Sequence, residues 1–288
     1  SHPARVAAEI SMLDHMTEGR LNFGISPGGL LSDSEIFGNL DKDRNAMFLE
    51  CINMVLDIWA GEAPYNLKGD YFEVSTERTM LPDIGQGSII KPYQDPHPPI
   101  IGTVVAPFSK GVTAMAARGW EPISANFLLP KWVKTHWPNY AEGCELGGRA
   151  AEAANWRIAK NICVADDMKT AKQYARGENS PYVLYYRQLL TKLKDSGRLN
   201  LFKEDQEMSD DEVTLDYVLD RLVIHGDASS VAEPSKSAKT QLKFPLSFMA
   251  CHPYKFLTNA RVPDSSTSIG PAPSLRMNSK AFCCQTPF

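Results

Sequence analysis

The sequence lacks the features that place a chain in a membrane or outside the cell. No apolar run approaches the roughly 18 residues needed to span a bilayer, and the N-terminus has neither the basic nor the apolar region of a signal peptide. The six cysteines show no paired spacing, which argues against a zinc site and a disulfide framework. We therefore expect a cytoplasmic protein with reduced thiols and no membrane partner.

A strong charge of either sign and a metal-binding pattern are also lacking. The net charge is −4 at pH 7, which gives no electrostatic reason to expect nucleic acid as a partner. No histidines and carboxylates recur at metal-ligand spacing, so no metal site is expected. The hydrophobic content of 43% over 288 residues suffices for a sizeable core, in one large domain or two small ones.

The last segment has almost no acidic residues and no periodic pattern. Between Pro234 and Phe288, seven basic residues stand against one acid, Asp264, and seven prolines interrupt the chain. Phe244–Ala250 is predicted as one more strand, and from Pro253 onward we expect disorder or irregular coil. This tail is interpreted either as an interaction arm or as sequence that has lost its frame, and we favour the second. We therefore predict a domain over residues 1–233 and a divergent tail over residues 234–288.

What the chain does contain is a regular alternation of strand and helix patterns. This rhythm predicts a parallel sheet built from βαβ units. The predicted strands are Arg20–Ile25, Tyr71–Val74, Ser88–Ile90, Ile100–Val105, Glu121–Phe127 and Trp156–Val164. The predicted helices run from Pro3 to Gly19, from Phe48 to Gly61, from Ser109 onward, and over Lys131–Cys144, Met168–Arg176, Tyr182–Leu193 and Asp216–Val223. Gly197–Asp211 is predicted as a polar, mobile loop.

The segment Pro99–Gly119 contains the most informative turn. Its run Ile100–Val105 has the pattern of a strand buried on both faces. Residues 106–108 break the run, and Ser109 is placed to cap the helix that follows. A buried strand that turns directly into a helix N-terminus presents N–H groups and the positive end of a dipole, which makes it a candidate phosphate cradle. The alternative is a generic turn of the kind that every β/α protein contains.

Several single residues are candidates for a site, each with a plain structural alternative. Gly28 and Gly29 follow a predicted strand and permit close approach of a ligand, although a turn that needs positive φ explains them equally. His136, between tryptophans, is interpreted as a packing residue, with a pocket role as the alternative. Asp166–Asp167 is interpreted as a helix cap, with an acid/base pair as the alternative. His225 is placed in a turn, with a ligand role as the alternative, and His97 is placed in a loop.

With these elements laid out, the chain resembles the bacterial luciferase-like flavin monooxygenases, in particular the limonene-monooxygenase-like branch. The resemblance covers roughly Ser1 to Glu233 and is carried by a linked set of motifs. They are His2-Pro3 with Arg5 and Glu9, Leu13–Met16, Gly19–Ile25, Ser26–Gly29, Ser32-Asp33, Phe37-Gly38, Trp59–Gly61, Pro98–Gly119, Val223–Gly226 and Ser230–Glu233.

This resemblance implies an α/β fold, a (β/α)8 TIM barrel with its active site at the C-terminal ends of the strands. The helix after His2-Pro3 would be the third barrel helix, Arg20–Ile25 the fourth strand, and Pro99–Gly119 the fifth strand and helix. The first three strands would then be missing from this chain. Phe244–Ala250 is expected as a remnant of the eighth strand, with a divergent C-terminal end after it.

The resemblance also implies a reaction. Family members use reduced FMN, supplied by a separate flavin reductase, together with O2 to oxygenate a small hydrophobic organic substrate. Two alternatives stay open: a deazaflavin-dependent oxidoreductase of the same barrel type, and a non-catalytic flavin-binding or inactive fragment. We expect little or no monooxygenase activity from this chain alone. A homodimer is left open, because only the helix after His2-Pro3 remains of the surface through which relatives dimerise.

Cofactor-binding residues follow from the same resemblance, because family members hold the FMN phosphate at the loops after the fourth and fifth strands. In this sequence those positions are Gly28, Gly29, Thr103, Ala106, Phe108 and Ser109, and Asn126 is added as a flavin or substrate contact at the end of a barrel strand. Pro27 stands where luciferase has an arginine near the phosphate, and Lys110 is suggested as a substitute. The family's important histidine belongs to a missing strand, so the catalytic residues stay unknown.

Overall fold

A computed structural model of the chain describes residues 1–231 and 248–250. These residues form two compact units. The first unit comprises residues 1–123 and 135–156, and the second comprises residues 124–134 together with the described residues from 157 onward. The coil predicted beyond Pro253 lies outside the described residues.

Helices and strands alternate through most of the described chain. The helices are α1 (Pro3–Met16), α2 (Leu31–Ile36), α3 (Arg44–Ala60), α4 (Lys110–Ala117), α5 (Pro130–Lys134), α6 (His136–Leu146), α7 (Met168–Arg176), α8 (Pro181–Asp195) and α9 (Leu215–Leu222). The strands are β1 (Phe23–Ile25), β2 (Asn66–Lys68), β3 (Glu73–Ser75), β4 (Ile100–Val104), β5 (Glu121–Ser124), β6 (Arg157–Val164), β7 (Val223–Gly226) and β8 (Phe248–Ala250). Among the residues that the structure describes, no helix combines the length and apolar character needed to cross a bilayer.

The first unit is built on the parallel pair β1 and β4, in which Phe23 pairs with Ile100 and Ile25 with Gly102. Helix α1 begins at Pro3, whose fixed φ suits a first helical position. Helix α3 places Ile52, Val55 and Ile58 in the core and ends before Gly61. The antiparallel pair of β2 and β3 lies between α3 and β4 in the chain. The hydrophobic core of this unit therefore covers the side of β1 and β4 from which α1 and α3 pack.

The second unit contains a parallel pair as well, because Asn161 of β6 pairs with Val223 of β7 and Val164 pairs with Gly226. Strand β8 also runs parallel to β6, with Ile158 opposite Phe248. Helices α8 and α9 contribute to a second hydrophobic core, whose largest fully buried side chains are Tyr186, Phe202, Leu129, Leu219 and Leu222.

Most predicted elements agree with the structure. The buried run is the strand Ile100–Val104, and helix α7 occupies the predicted residues, with Asp167 Oδ1 accepting the Thr170 N–H at 2.8 Å as its cap. The strand predicted over Phe244–Ala250 appears at Phe248–Ala250. Cys51, Cys144 and Cys163, the cysteines within the described residues, carry free thiols.

Some predictions were wrong. Ser88–Ile90 is not a strand, because the Ile89 N–H donates to the Tyr65 hydroxyl at 3.2 Å and enters no ladder. His225 lies inside β7, opposite Cys163, rather than in a turn. The predicted helix Lys131–Cys144 divides at Thr135 into α5 and α6. The segment 197–211 is not a purely polar loop, since it carries buried side chains, namely Leu199, Leu201 and Phe202.

Candidate functional site

The loops that follow β1 and β4 leave the sheet at the same edge. The two strands run parallel and in register, with Ile25 opposite Gly102. The carboxyl ends of adjacent parallel strands meet at one edge of a sheet, where ligands of α/β proteins bind. This arrangement brings the predicted phosphate-binding residues after β1, Gly28 and Gly29, to the same side of the unit as those after β4.

The loop between β4 and α4 ends at Ser109, which occupies the N-cap position of α4 with φ −63° and ψ 114°. Its carbonyl accepts the Val112 N–H at 3.2 Å. Within the described chain, its hydroxyl makes no capping hydrogen bond, so the expected side-chain cap is not formed. The first turn of a helix presents backbone N–H groups that need acceptors, and the helix dipole adds positive potential there. The end of α4 therefore offers donors to an anion.

Phe108 has an unusual conformation in this loop. Its φ of +53° lies in the left-handed region, which is unfavourable for a bulky residue. Its side chain is 66% exposed, and its N–H donates to Thr135 Oγ1 at 2.8 Å. Because the amide of Phe108 is engaged in this way, Phe108 would contact a ligand through its exposed ring.

Two further side chains of α6 bind the same loop, and sequence reasoning did not find them in this role. His136 is fully buried, and its Nε2 lies 2.9 Å from the Ala106 carbonyl oxygen. A carbonyl only accepts, so the ring donates. Burial lowers the pKa of His136, and this hydrogen bond opposes the shift. Asn139 Nδ2 donates to the Ser109 carbonyl at 3.0 Å. His136 is thus a buried residue, as interpreted, but one that hydrogen-bonds the candidate loop.

The glycine loop after β1 is open. Gly28 has a φ of +78°, and its N–H lies 3.3 Å from Ser26 Oγ. A Cβ built on Gly28 or Gly29 would meet no described atom within 4 Å. The backbone conformation explains the glycine at position 28, whereas nothing in the described chain crowds position 29. Both glycines leave room for a ligand to approach the backbone.

The suggested cation, Lys110, has a partner on α6. Its Nζ lies 3.2 Å from Glu142 Oε2, in a pair whose side chains are 76% and 50% exposed. This bond and one from Thr113 lower the pKa of Glu142. Exposed ion pairs contribute little to stability and exchange readily with solvent, so the ammonium group of Lys110 is committed to Glu142 only weakly.

The remaining predicted residues have different surroundings. Thr103 is exposed on β4. Asn126, in the second unit, is nearly buried and uses both ends of its amide: Nδ2 donates to Asn161 Oδ1 at 2.9 Å, and Oδ1 accepts the Tyr185 hydroxyl at 3.0 Å. Asn161 in turn donates to the Tyr186 hydroxyl at 2.6 Å. Asn126 therefore has a structural role in this network, and its contact with flavin or substrate stays a prediction.

Comparison with known proteins identifies the class of fold. The chain aligns with an FMN complex of the oxygenating constituent of 3,6-diketocamphane monooxygenase from Pseudomonas putida, a type II Baeyer-Villiger monooxygenase, with a TM-score of 0.73 and 21% identity over 86% of this chain and 69% of that chain. An F420-dependent secondary alcohol dehydrogenase aligns with a TM-score of 0.57 and 18% identity over 85% of this chain and 68% of that one. The fold is an incomplete (β/α)8 barrel of the type found in these enzymes, as predicted.

Sequence comparison identifies the family. Residues 1–239 match the family model of the luciferase-like monooxygenases, and the chain belongs to this family. It is 26% identical over 178 residues to 4-hydroxyprotoasukamycin monooxygenase of Streptomyces nodosus subsp. asukaensis, covering 59% of this chain and 44% of that protein. It is 25% identical over 175 residues to limonene 1,2-monooxygenase of Rhodococcus erythropolis, covering 61% and 43%. The chain thus spans less than half the length of these two relatives.

Proposed function

We propose that the chain binds FMN through the loops after β1 and β4, and that the function it belongs to is FMN-dependent monooxygenation of a small hydrophobic organic substrate. The observation that carries this proposal is the N-terminal end of α4, where the Ser109 hydroxyl makes no capping hydrogen bond within the described chain. A terminal phosphate is the group that such a helix end accepts.

The residues at this edge fit a phosphate-bearing cofactor. Gly28 and Gly29 leave the backbone after β1 accessible, and the Ser109 hydroxyl and the first-turn amides of α4 would donate to phosphate oxygens. Thr103 on β4 and Phe108 in the loop before α4 are also exposed. Reduced FMN, when bound, supplies the electrons for activation of O2. In this proposal, the loops after β1 and β4 bind and orient the phosphate of FMN.

Further parts of the reaction also belong to this proposal. A separate flavin reductase would supply reduced FMN, and the free thiols support a reducing, cytoplasmic location. No described residue is assigned as a catalytic acid or base. We expect little turnover from the isolated chain with FMN, a flavin reductase and O2, and substrate oxidation at the rate of a complete relative would contradict that expectation.

The phosphate site is tested by comparing FMN with riboflavin, which lacks the phosphate. Wild-type chain should bind FMN about tenfold or more tightly than riboflavin, a difference of about 1.4 kcal/mol. Ser109→Asp is the sharpest variant, because aspartate is a good N-cap and should preserve α4, while its charge repels phosphate. Ser109→Asn is the matched neutral control. Loss of FMN binding in Ser109→Asp alone, with riboflavin binding unchanged, supports the proposal; equal effects on both flavins contradict it.

A second candidate is a deazaflavin-dependent oxidoreductase of the same barrel type. The similarity in fold to the F420-dependent alcohol dehydrogenase favours its consideration. Parallel titrations of the purified chain with FMN and with coenzyme F420 distinguish the two. Tighter binding of F420 than of FMN would replace the monooxygenase proposal, and the opposite order would support it.

A further inference from the structure

The contacts from α6 engage the carbonyl acceptors of loop 106–109 and do not involve the N–H donors at the start of α4. The carbonyl oxygens of Ala106 and Ser109 accept hydrogen bonds from His136 and Asn139, respectively. A carbonyl oxygen near a phosphate is repulsive, because both carry negative partial charge. The hydrogen bonds therefore engage acceptors that would otherwise weaken an anion site, while the N-terminal donors of α4 stay outside these contacts.

The same turn of helix also stabilises a strained residue. A non-glycine residue with positive φ is strained and persists only where its surroundings fix it. Phe108 is fixed by the hydrogen bond from its N–H to Thr135 Oγ1 at 2.8 Å. Contacts from Thr135, the N-cap of α6, and from the first turn of α6 thus reach three of the five residues that connect β4 to α4.

We propose that Thr135, His136 and Asn139 are positioning residues for the FMN phosphate. They act through loop 106–109 by orienting its carbonyl groups away from the phosphate and by holding Phe108 in its left-handed conformation. This inference rests on the proposed function, because it assigns a role to α6 in the same site. It predicts that α6 affects the affinity for the phosphate and leaves the affinity for the flavin ring unchanged.

Paired variants test the inference without removing the helix. His136→Gln keeps an N–H donor near the position of Nε2, whereas His136→Leu keeps the buried volume and removes the donor. Thr135→Ser keeps the hydroxyl that accepts from Phe108, and Thr135→Val removes it with little change of shape. The measurements are the dissociation constants for FMN and for riboflavin, together with the unfolding midpoint of each variant.

Each apolar variant is thus compared with a polar counterpart at the same position. His136→Leu and Thr135→Val should each weaken FMN binding about three- to tenfold, as expected for one lost hydrogen bond, and leave riboflavin binding unchanged. His136→Gln and Thr135→Ser should restore the wild-type preference for FMN.

Two results would overturn the inference in distinguishable ways. If the wild-type chain itself binds FMN no more tightly than riboflavin, the phosphate site proposed above fails, and the positioning role fails with it. If the wild-type chain prefers FMN but Thr135→Val and His136→Leu keep that preference, or lose both flavins equally, the phosphate site stands and the role of α6 is rejected. Thr135→Val keeps this distinction available even if His136→Leu does not fold.

Discussion

Gly102 and Met115 are packed so closely that a Cβ on residue 102 would overlap the Met115 Sδ. Gly102 lies in β4, and Met115 lies on α4. Helix α4 therefore places the Met115 side chain directly against Gly102, and a larger residue at position 102 would require that flexible side chain to move. The contact lies between the strand and the helix that flank the candidate phosphate loop.

Substitution of Gly102 should destabilise the first unit. Gly102→Ala forces the flexible Met115 side chain to move, and we expect a cost of about 1 kcal/mol, at the low end of the range for overpacking. The measurement is the free energy of urea unfolding. Met115→Ala makes room for the new methyl group, so Gly102→Ala should cost less in that background. Additive costs in the double variant would show that the two residues do not interact.

The amide network of the second unit should contribute to its stability. Asn126→Leu removes both hydrogen bonds of this nearly buried side chain and leaves Asn161 Oδ1 and the Tyr185 hydroxyl without that partner. Leaving buried polar groups unsatisfied costs about 1–3 kcal/mol. Asn200, which is exposed, provides the control substitution Asn200→Leu. Equal unfolding midpoints for Asn126→Leu and the control would contradict the structural role of Asn126.

Ser180 should contribute to stability by joining two helices. It caps α8 by accepting the Tyr182 N–H at 3.2 Å, and its hydroxyl donates to the Ala175 carbonyl at 3.0 Å at the end of α7. It is 4% exposed. Ser180→Ala is expected to cost about 1 kcal/mol, the usual value of an N-cap. Ser196→Ala, at an exposed position at the end of α8, should cost clearly less in the same denaturation experiment.

The stability of the chain should fall in mild acid because of His136. Its pKa is lowered by burial, whereas in the unfolded chain it is near 6.5. Below about pH 6.5 the unfolded state therefore binds a proton that the folded state resists, and the free energy of unfolding decreases as the pH falls. His136→Gln removes this titration. The loss of stability between pH 7.5 and pH 5.5 should be smaller in His136→Gln than in the wild-type chain. Identical losses would show that His136 does not cause the loss of stability in mild acid.

The predictable parts of this fold are those with local signals. Asp167 before an amphipathic helix predicted α7, and the apolar β-branched run after Pro99 predicted β4, because caps and periodicity depend on neighbouring residues. The family resemblance predicted the barrel. In contrast, the isolated apolar run at Ser88–Ile90 is not a strand, since a strand also needs a partner that short-range pattern does not reveal.

Short-range sequence patterns also do not reveal the contacts around the candidate site. His136 Nε2 and the Ala106 carbonyl oxygen are separated by 30 residues in the chain, and the Phe108 N–H and Thr135 Oγ1 by 27. The Trp-rich surroundings of His136 indicated burial but not a hydrogen-bond partner. The burial of Leu199 and Phe202 likewise depends on the core around α8 and α9. The polar composition of segment 197–211 does not reveal that core, and it therefore suggested a loop. Tertiary contacts of this kind have no signature in the sequence.

The central claim is that the N-terminal end of α4 binds the phosphate of FMN. The backbone amide resonances of Lys110 and Gly111 test it most directly. In two-dimensional 1H–15N NMR spectra of the labelled chain, titration with FMN should shift both resonances, because their N–H groups lie in the first turn of α4. Titration with riboflavin should leave them nearly unchanged. No shift of these amides at saturating FMN, or equal shifts with riboflavin, would contradict the account.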